Sequence, residues 1–391
     1  MKKFLTALAL VFFYCTQALS QSCGGDFTIF VDGLKSEARL KGHGDYVIEE
    51  FFAATGHDPK VIAADRAQGI FQIPFVEFSA RLISKHRIFH GNKNANDFAW
   101  IFDEIEHQFG VSRGILLAFW GLETDFGAVQ GTFNTLNSLV TLAHDCRRPD
   151  LFRPQIFAAL KLYERGIFDP VTTEGAWAGE IGMVQMLPQD ILVSGIDGDG
   201  DGLVSMKTSA ADALMSGANM LRALGWRANE PWMEEVRMPT NFDWSMTGFG
   251  TKKSGQQWED LGVHGRNNRI QRADLTSSII IPQGRYGPAF MIYPNFQVLF
   301  EWNKSFIYVA TAAYFATLLE GGARFTNTTA EPGLDADGMK ALQTKLVILG
   351  YDVGQIDGIL GAKTRIAVQN IQQKMGMPAD AWPTTFLLDR L

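Results

Sequence analysis

Apolar residues recur every three or four positions through much of the chain, which is the spacing of a helix that buries one face. This spacing predicts helices over residues 97–109, 112–123, 154–165, 210–224 and 303–320. Pro154 opens the third of these helices, and a glycine follows the end of each of the last three. We therefore expect helices to dominate the first 320 residues.

The pattern changes between the last two of these helices. Residues 277–281, 289–293 and 296–300 form short aromatic or β-branched runs separated by proline and glycine, which is typical of strands. The predicted fold class is mainly α, with a small antiparallel β insertion in a helical domain.

A second domain is predicted at the end of the chain. Residues 321–333 (GGARFTNTTAEPG) have the composition of a linker. Residues 334–391 contain two helical patterns, over 339–349 and 364–374, and are too few to bury a large core.

The first 20 residues have the form of a secretory signal peptide. Lys2 and Lys3 precede an apolar stretch over residues 4–14, and Ala18 and Ser20 supply small residues before a cleavage site. We expect cleavage before residue 21, no lipid anchor, and a soluble periplasmic protein whose main domain covers residues 21–320. Removal of this leader leaves Cys23 and Cys146 as the two remaining cysteines, and we predict that they form a disulfide.

Composition and charge narrow the function. The chain has 391 residues, 46% of them hydrophobic and 20% charged, so it is long and apolar enough for two or three folded domains. Its net charge of -7 argues against a nucleic-acid-binding protein, which usually carries a basic excess.

Glu123 is the strongest candidate for catalysis. It ends a very apolar helix, where loss of hydration raises the pKa of a carboxyl group and keeps it protonated. A protonated carboxyl at neutral pH is what a glycosidase uses as general acid. We expect Trp120 and Phe126 to line a sugar groove, and Gly121 and Gly127 to let a polymer approach; the alternative is a solvated glutamate at a helix end.

A second carboxylate is not obvious near Glu123. Asp125 follows two positions later, about 200° around a helix, and is an unlikely partner. If Glu123 works alone, the substrate must supply the nucleophile, as muramic acid can through its N-acetyl group and 6-hydroxyl. Glu180 and Glu174 remain as possible partners from elsewhere in the fold.

Several motifs resemble one enzyme family. They are Glu123-Thr-Asp-Phe-Gly127, Gly179-Glu-Ile-Gly-Met-Val-Gln185-Met-Leu-Pro188, Gly284-x-x-Gly-Pro-Ala-Phe290, Asn295-Phe296 and Asn303-Lys-Ser305. This order of motifs, from about Val61 to Leu319, resembles the B-type lytic murein transglycosylases of glycoside hydrolase family 103.

The resemblance implies a lysozyme-like fold that cleaves the MurNAc–GlcNAc β-1,4 bond without water and leaves 1,6-anhydroMurNAc ends. Glu123 would be the single general acid and base. Groove residues would be Gln185, Asn303, Trp302, Met186, Arg147 and Arg148. Trp302 and Met186 replace a tyrosine and a phenylalanine of the family, and Ala176 replaces a serine, so hydroxyl groups are lost.

Residues 197–205 (DGDGDGLVS) match the start of a calcium loop. Asp197, Asp199 and Asp201 supply oxygens, and Leu203 a backbone carbonyl. Position 12 is Thr208 instead of glutamate, and the resemblance suggests Asp212 as the final acid. We expect a structural Ca²⁺, with an ion-free turn as the alternative, and no cofactor for the chemistry.

The C-terminal residues resemble the type 1 peptidoglycan-binding domain. The pattern includes Leu342-Gln343, Leu349-Gly350-Tyr351, Ile356-Asp357-Gly358 and Thr364-Arg365. The predicted partners are peptidoglycan glycan strands and, as candidates, other envelope or wall-synthesis proteins. Three functions stay open: a secreted lytic transglycosylase, a muramidase that uses water, and an inactive wall-binding scaffold.

Overall fold

The computed structural model describes residues 23–67, 73–326 and 329–391, and the predicted signal peptide lies outside them. The first part of the chain is helical. Its helices are α1 (Phe27–Leu40), α2 (Asp45–Phe52), α3 (Pro59–Arg66), α4 (Phe75–Leu82), α5 (Lys85–Asp97), α6 (Ala99–Phe109), α7 (Arg113–Thr124), α8 (Thr135–His144), α9 (Pro149–Glu164), α10 (Pro188–Ser194) and α11 (Ala210–Ala223). Two short strands, β1 (Phe133–Asn134) and β2 (Glu174–Gly175), pair in antiparallel fashion between them.

A five-stranded antiparallel sheet follows α11. Its strands are β3 (Met233–Arg237), β4 (Gly248–Ser254), β5 (His264–Gly265), β6 (Thr276–Ile280) and β7 (Phe290–Ile292), with the short helix α12 (Gly255–Asp260) after β4. The spatial order is β4-β6-β7-β3-β5. Ser278 pairs with Ile292, and Glu234 pairs with Met291.

The chain then returns to helices. These are α13 (Pro294–Trp302), α14 (Phe306–Leu319), α15 (Ala336–Ile348), α16 (Ala362–Lys374) and α17 (Thr385–Leu388). The prediction of a mainly α fold with a small antiparallel sheet is confirmed. None of the described helices has both the length and the apolar character that a membrane crossing needs.

Three predicted elements are wrong in type or in start. Residues 296–300 lie in helix α13, which begins at Pro294, a residue whose fixed φ suits the first helical position. Helix α9 begins at Pro149 and contains Pro154 in its interior. Helix α14 begins at Phe306 because Ser305 caps it, accepting a hydrogen bond from the backbone N–H of Tyr308.

The centre of the helical part is the contact between α7 and α14. Nine of the twelve residues of α7 are buried, and so are the first eleven residues of α14. A Cβ on Gly114 would lie 2.9 Å from the carbonyl oxygen of Ala316, so the two helices come closer than any larger residue allows. Helix α7 therefore packs closely against α14.

The C-terminal residues have their own apolar core and also contact the sheet. That core includes Leu342, Leu346, Val368 and Leu387. Two contacts to the sheet region are an ion pair between Arg285 and Asp380, at 3.1 Å, and a hydrogen bond from Gln369 to the carbonyl oxygen of Thr247.

The segment predicted as a linker packs at both ends. Phe325 contacts the rings of Phe75 and Tyr314, and the carbonyl oxygen of Glu331 accepts a hydrogen bond from the indole of Trp382. Its described residues hold no helix or strand.

Candidate active site

Helix α7 places Glu123 in its last turn and then stops abruptly. Asp125 and Phe126 both have positive φ angles, of 52° and 62°. The hydroxyl of Thr124 donates to the carbonyl oxygen of Met183 at 2.6 Å and accepts from the N–H of Gly127 at 2.9 Å. Thr124 therefore fastens the turn after Glu123 to the segment that carries Gln185.

Gln185 lies at the end of a tight reversal of the chain. Backbone hydrogen bonds between Ile181 and Met186, of 2.9 and 3.1 Å, close the reversal, and Gln185 adopts a φ of 54°. A left-handed conformation is uncommon for glutamine and persists only where the surroundings enforce it. Its amide donates to the carbonyl oxygen of Gly182 at 2.8 Å.

These segments enclose a cavity of about 260 Å³. Five of the residues predicted from sequence line it together: Glu123, Gln185, Met186, Trp302 and Asn303. The remaining lining residues are Ala176, Trp177, Glu180, Leu187, Asp190 and Met220. The distant motifs of the sequence thus converge on one cavity.

The environment of Glu123 favours its protonated form. The pKa of Glu123 is raised to about 7, mainly by loss of solvation, with a smaller contribution from the nearby Glu180 carboxyl. Hydrogen bonds from Tyr308 and Trp302 act in the opposite direction, because they stabilise the charged form. Glu123 can therefore both give up and recover a proton near neutral pH.

Tyr308 is a site residue that the sequence reasoning missed. Its hydroxyl donates to Oε1 of Glu123, and burial together with this carboxyl raises the pKa of Tyr308 well above its usual value. The available signal was a tyrosine in the first turn of a largely apolar helix, where a buried hydroxyl needs a partner. Tyr308 supplies a hydroxyl to the site although residue 302 is a tryptophan.

Trp302 and Asn303 form one wall of the cavity. The Trp302 ring stacks on Phe119 of α7, with centroids 4.4 Å apart and planes 7° from parallel. The Asn303 side-chain oxygen accepts from the N–H of Ser305 at 2.9 Å, so Asn303 is fixed at the break between α13 and α14.

Asp190 and Glu180 are the other two carboxyls of the cavity; burial raises the pKa of Asp190 and also that of Glu180. Arg148 partly offsets that rise. Glu174, the other carboxylate kept open from sequence, lies exposed in β2 opposite Asn134 and is not among the lining residues.

Comparison with known proteins identifies the family. A family model described as the transglycosylase SLT domain matches residues 26–317. The chain belongs to this family. A peptidoglycan binding domain model matches residues 335–391.

Solved structures resemble this transglycosylase over most of its length. SltB3 from Pseudomonas aeruginosa, in complex with NAG-NAM-pentapeptide, is 34% identical, with a TM-score of 0.87; the match covers 94% of this chain and 100% of that one. Slt35 of Escherichia coli, a lytic transglycosylase in complex with calcium, shares the fold at 21% identity and a TM-score of 0.65, covering 78% of this chain and 97% of that one. The predicted lysozyme-like transglycosylase fold is confirmed.

A curated relative is matched over a shorter stretch. The membrane-bound lytic murein transglycosylase B of Escherichia coli K12 is 26% identical over 153 residues. That match covers 39% of this transglycosylase and 42% of the relative, less than half of either chain.

Arg147 and Arg148 surround the buried Asp65. Arg147 approaches its carboxylate at 2.7 Å, Arg148 at 2.5 Å and Arg66 at 2.6 Å. Their principal contacts in this transglycosylase are therefore within the protein, although Arg148 remains close enough to influence Glu180.

Four residues expected to shape the groove lie elsewhere or serve packing. Trp120 is 3% exposed and contacts Phe126 edge-on, and neither lines the cavity. A Cβ on Gly121 would lie 2.8 Å from the Phe126 ring, and Gly127 has a φ of 89°, so these glycines serve packing and the turn.

Asp125 does not line the cavity with Glu123, but the reason differs from the helical rotation predicted from sequence. The helix ends before it, so the rotation along a helix does not apply. Its carboxylate pairs with Arg87 at 3.1 Å.

The acidic loop brings three carboxylates together. Oxygens of Asp197, Asp199 and Asp212 lie within 4.8 Å of one another. Asp201, predicted as a ligand, is not in this cluster and accepts a hydrogen bond from the N–H of Leu203. Asp212 is fully buried, and its two oxygens accept from the N–H groups of Gly198 and Ser205.

Cys23 and Cys146 form a disulfide, with Cα atoms 5.1 Å apart.

A larger cavity of about 690 Å³ lies at the opposite end of α7, beside its cap Ser112 and near Trp226, Trp232 and Glu320. It holds none of the motif residues, so cavity size does not mark the catalytic site.

Proposed function

We propose that this protein is a peptidoglycan lytic transglycosylase that cleaves the MurNAc–GlcNAc β-1,4 bond and leaves 1,6-anhydroMurNAc ends. The observation that carries the proposal is Glu123, a carboxyl with a pKa raised to about 7 at the wall of a cavity shared with Gln185 and Asn303. Support also comes from SltB3, whose solved complexes contain NAG-NAM-pentapeptide and NAG-anhNAM-pentapeptide.

Glu123 acts first as an acid. Its proton passes to the glycosidic oxygen as the bond to C1 of MurNAc breaks, and GlcNAc leaves with a free hydroxyl. The carboxylate then removes the proton from the 6-hydroxyl of the same MurNAc while that oxygen bonds to C1. The proton returns to Glu123, no water is consumed, and the enzyme is ready for another cycle.

Tyr308 and Trp302 assist by stabilising the charged form between these two steps. Both donate hydrogen bonds to the Glu123 carboxyl, and such bonds strengthen when the acceptor becomes an anion. Gln185 and Asn303 supply amide groups in the same cavity that can contact the sugar or its N-acetyl group.

Hydrolysis is the second candidate because Glu180 lines the same cavity. A retaining or inverting hydrolase needs its second carboxyl ionised, as nucleophile or base. Burial raises the pKa of Glu180 and of Asp190, the other two carboxyls of the cavity, which disfavours the ionised form that this role needs. Burial of these carboxyl groups therefore favours the single-carboxyl mechanism.

Two matched substitutions test this assignment. Glu123→Gln removes the proton donor and should lower cleavage of purified sacculi by at least about 100-fold. Glu180→Gln, a change of the same type in the same cavity, should lower it by less than about 10-fold. Equal losses in both variants would assign two catalytic carboxyls; unchanged cleavage in Glu123→Gln would remove Glu123 from the mechanism.

We also propose a structural Ca²⁺ in the acidic loop. Three carboxylates within 4.8 Å of one another form an oxygen-rich set that suits a hard cation, and Slt35 was solved with calcium. The ion would be held by Asp197, Asp199 and Asp212 and would brace the turn before α11. It takes no part in the proton transfers, which Glu123 performs.

The cellular setting follows from the two ends of the chain. The signal-peptide pattern of residues 1–20 directs the protein to the periplasm, where its substrate lies. Residues 335–391 would hold the enzyme on the wall, in keeping with the peptidoglycan binding domain that they match.

A further inference from the structure

Arg365 belongs to the C-terminal domain but contacts the catalytic part of the chain. It lies in the first turns of α16, and its Nη2 donates to the carbonyl oxygen of Pro282 at 2.8 Å. Its guanidinium lies 4.6 Å from the centroid of the Phe306 ring, within the range of a cation–π contact. Burial lowers the pKa of Arg365 to about 10, so the side chain stays charged at neutral pH.

Phe306 lies in the segment that also carries Trp302 and Tyr308, the two hydrogen-bond donors to Glu123. Trp302 ends α13, Asn303 lines the cavity, and Phe306 is the first residue of α14. Tyr308 follows two residues later and donates to Glu123. Phe306 also contacts Phe249 of β4, with ring centroids 5.9 Å apart and the two rings nearly perpendicular.

We propose that Arg365 is a positioning residue for catalysis: by clamping Phe306, the C-terminal domain fixes the start of α14 and so holds Tyr308 on Glu123. Arg365 itself touches neither substrate nor the reacting atoms. The C-terminal domain thereby contributes to the chemistry as well as to wall binding. This inference rests on the proposed transglycosylase function.

The test uses the full-length protein and soluble, uncrosslinked glycan strands, so that attachment to an intact wall is not limiting. Arg365→Met should lower kcat by about 10- to 100-fold, because small displacements of catalytic groups cost this much, with KM changed by less than about threefold. Arg365→Lys keeps a cation above Phe306 and should restore most of the loss. Circular dichroism establishes that each variant is folded.

Arg285→Gln is the matched control. Arg285 also bridges the two parts of the chain, through Asp380 at 3.1 Å, but the residues that it contacts, Asp380, Glu331 and Tyr286, all lie outside α14. Its kcat should stay within about twofold of the parent. An equal loss in Arg285→Gln and Arg365→Met would show a general effect of domain contact and overturn the proposal.

A double-mutant cycle with Tyr308→Phe separates positioning from simple destabilisation. If Arg365 acts through Tyr308, Arg365→Met should cost less than about twofold in the Tyr308→Phe background. Multiplicative losses would overturn the proposal.

The fall in activity at high pH, called here the basic limb of the pH profile, gives a second test of the proposal. Glu123 is faced by Tyr308, Trp302 and Glu180, with Asp190 in the same cavity, Arg87 near Tyr308 and Arg148 near Glu180. Loss of the Tyr308 hydrogen bond raises the pKa of Glu123, so the limb should move upward in both Arg365→Met and Tyr308→Phe. An unmoved limb in Arg365→Met contradicts the proposal. A parent enzyme that forms no anhydro product would instead contradict the proposed function.

Discussion

Glu123 acquires its chemistry from residues that are far away in sequence. Its helix supplies the apolar environment, Glu180 supplies a like charge, and Tyr308 and Trp302 supply hydrogen bonds. The raised pKa could be predicted from the apolar helix alone, because burial dominates it. Tyr308 could not, because its contact depends on how α14 packs against α7.

The activity should depend on pH through Glu123. The acid step needs the protonated carboxyl, and its pKa is about 7, so kcat/KM should stay high below pH 7 and fall about tenfold per unit above it. Removing the like charge in Glu180→Gln lowers the Glu123 pKa, so that limb should move to lower pH. Initial rates on soluble glycan strands between pH 4 and 10 measure both. A limb below pH 5 in the parent would mean that Glu123 is not the acid.

At the level of elements, periodicity predicted most of what the structure contains. Helices α6, α7 and α11 begin and end within two residues of their predicted bounds, because each has a continuous helical pattern of apolar residues. Residues 296–300 were wrongly predicted as a strand because aromatic residues favour strands in general. Here Pro294 starts a helix instead. Strands β3 and β4 had no sequence signal; pairing with β7 and β6 stabilises them.

The acidic loop before α11 should be stabilised by calcium. Saturating Ca²⁺ at about 100 times its Kd adds about 2.7 kcal/mol to the free energy of unfolding. The rise in Tm should disappear in Asp199→Asn, which removes one charge of the cluster. It should persist in Asp201→Asn, because Asp201 lies outside the cluster.

Thermal unfolding of chelated protein, with and without added Ca²⁺, measures this effect. The absence of a Tm rise in the parent protein would contradict calcium binding by the acidic loop. If the Tm rise is lost in Asp201→Asn alone, Asp201 is a ligand of the ion, as the sequence pattern of the loop predicted.

At the scale of the whole molecule, the N-terminus is fastened to the catalytic part of the chain. Cys23 and Cys146 are joined across 123 positions, just before Arg147 and Arg148. A denaturing thiol titration of the mature protein without reductant should find no free thiol, and two after reduction. Two thiols before reduction would contradict the disulfide.

The arrangement of the two parts of the chain was beyond the sequence. The glycine and threonine content of residues 321–333 predicted a linker, and the absence of helix and strand over residues 321–326 and 329–333 fits that composition. The contacts of Arg365 and Arg285 across it involve residues whose sequence context marks them only as surface arginines. Interfaces of this kind depend on tertiary packing that no local pattern encodes.

The most direct test of the central claim is mass spectrometry of muropeptides released from purified sacculi in water enriched in ¹⁸O. An intramolecular ring closure predicts products one water lighter than hydrolysed ends, resistant to borohydride, and free of ¹⁸O. Incorporation of one ¹⁸O at a reducible MurNAc end would show that water is the nucleophile, and would contradict the transglycosylase mechanism.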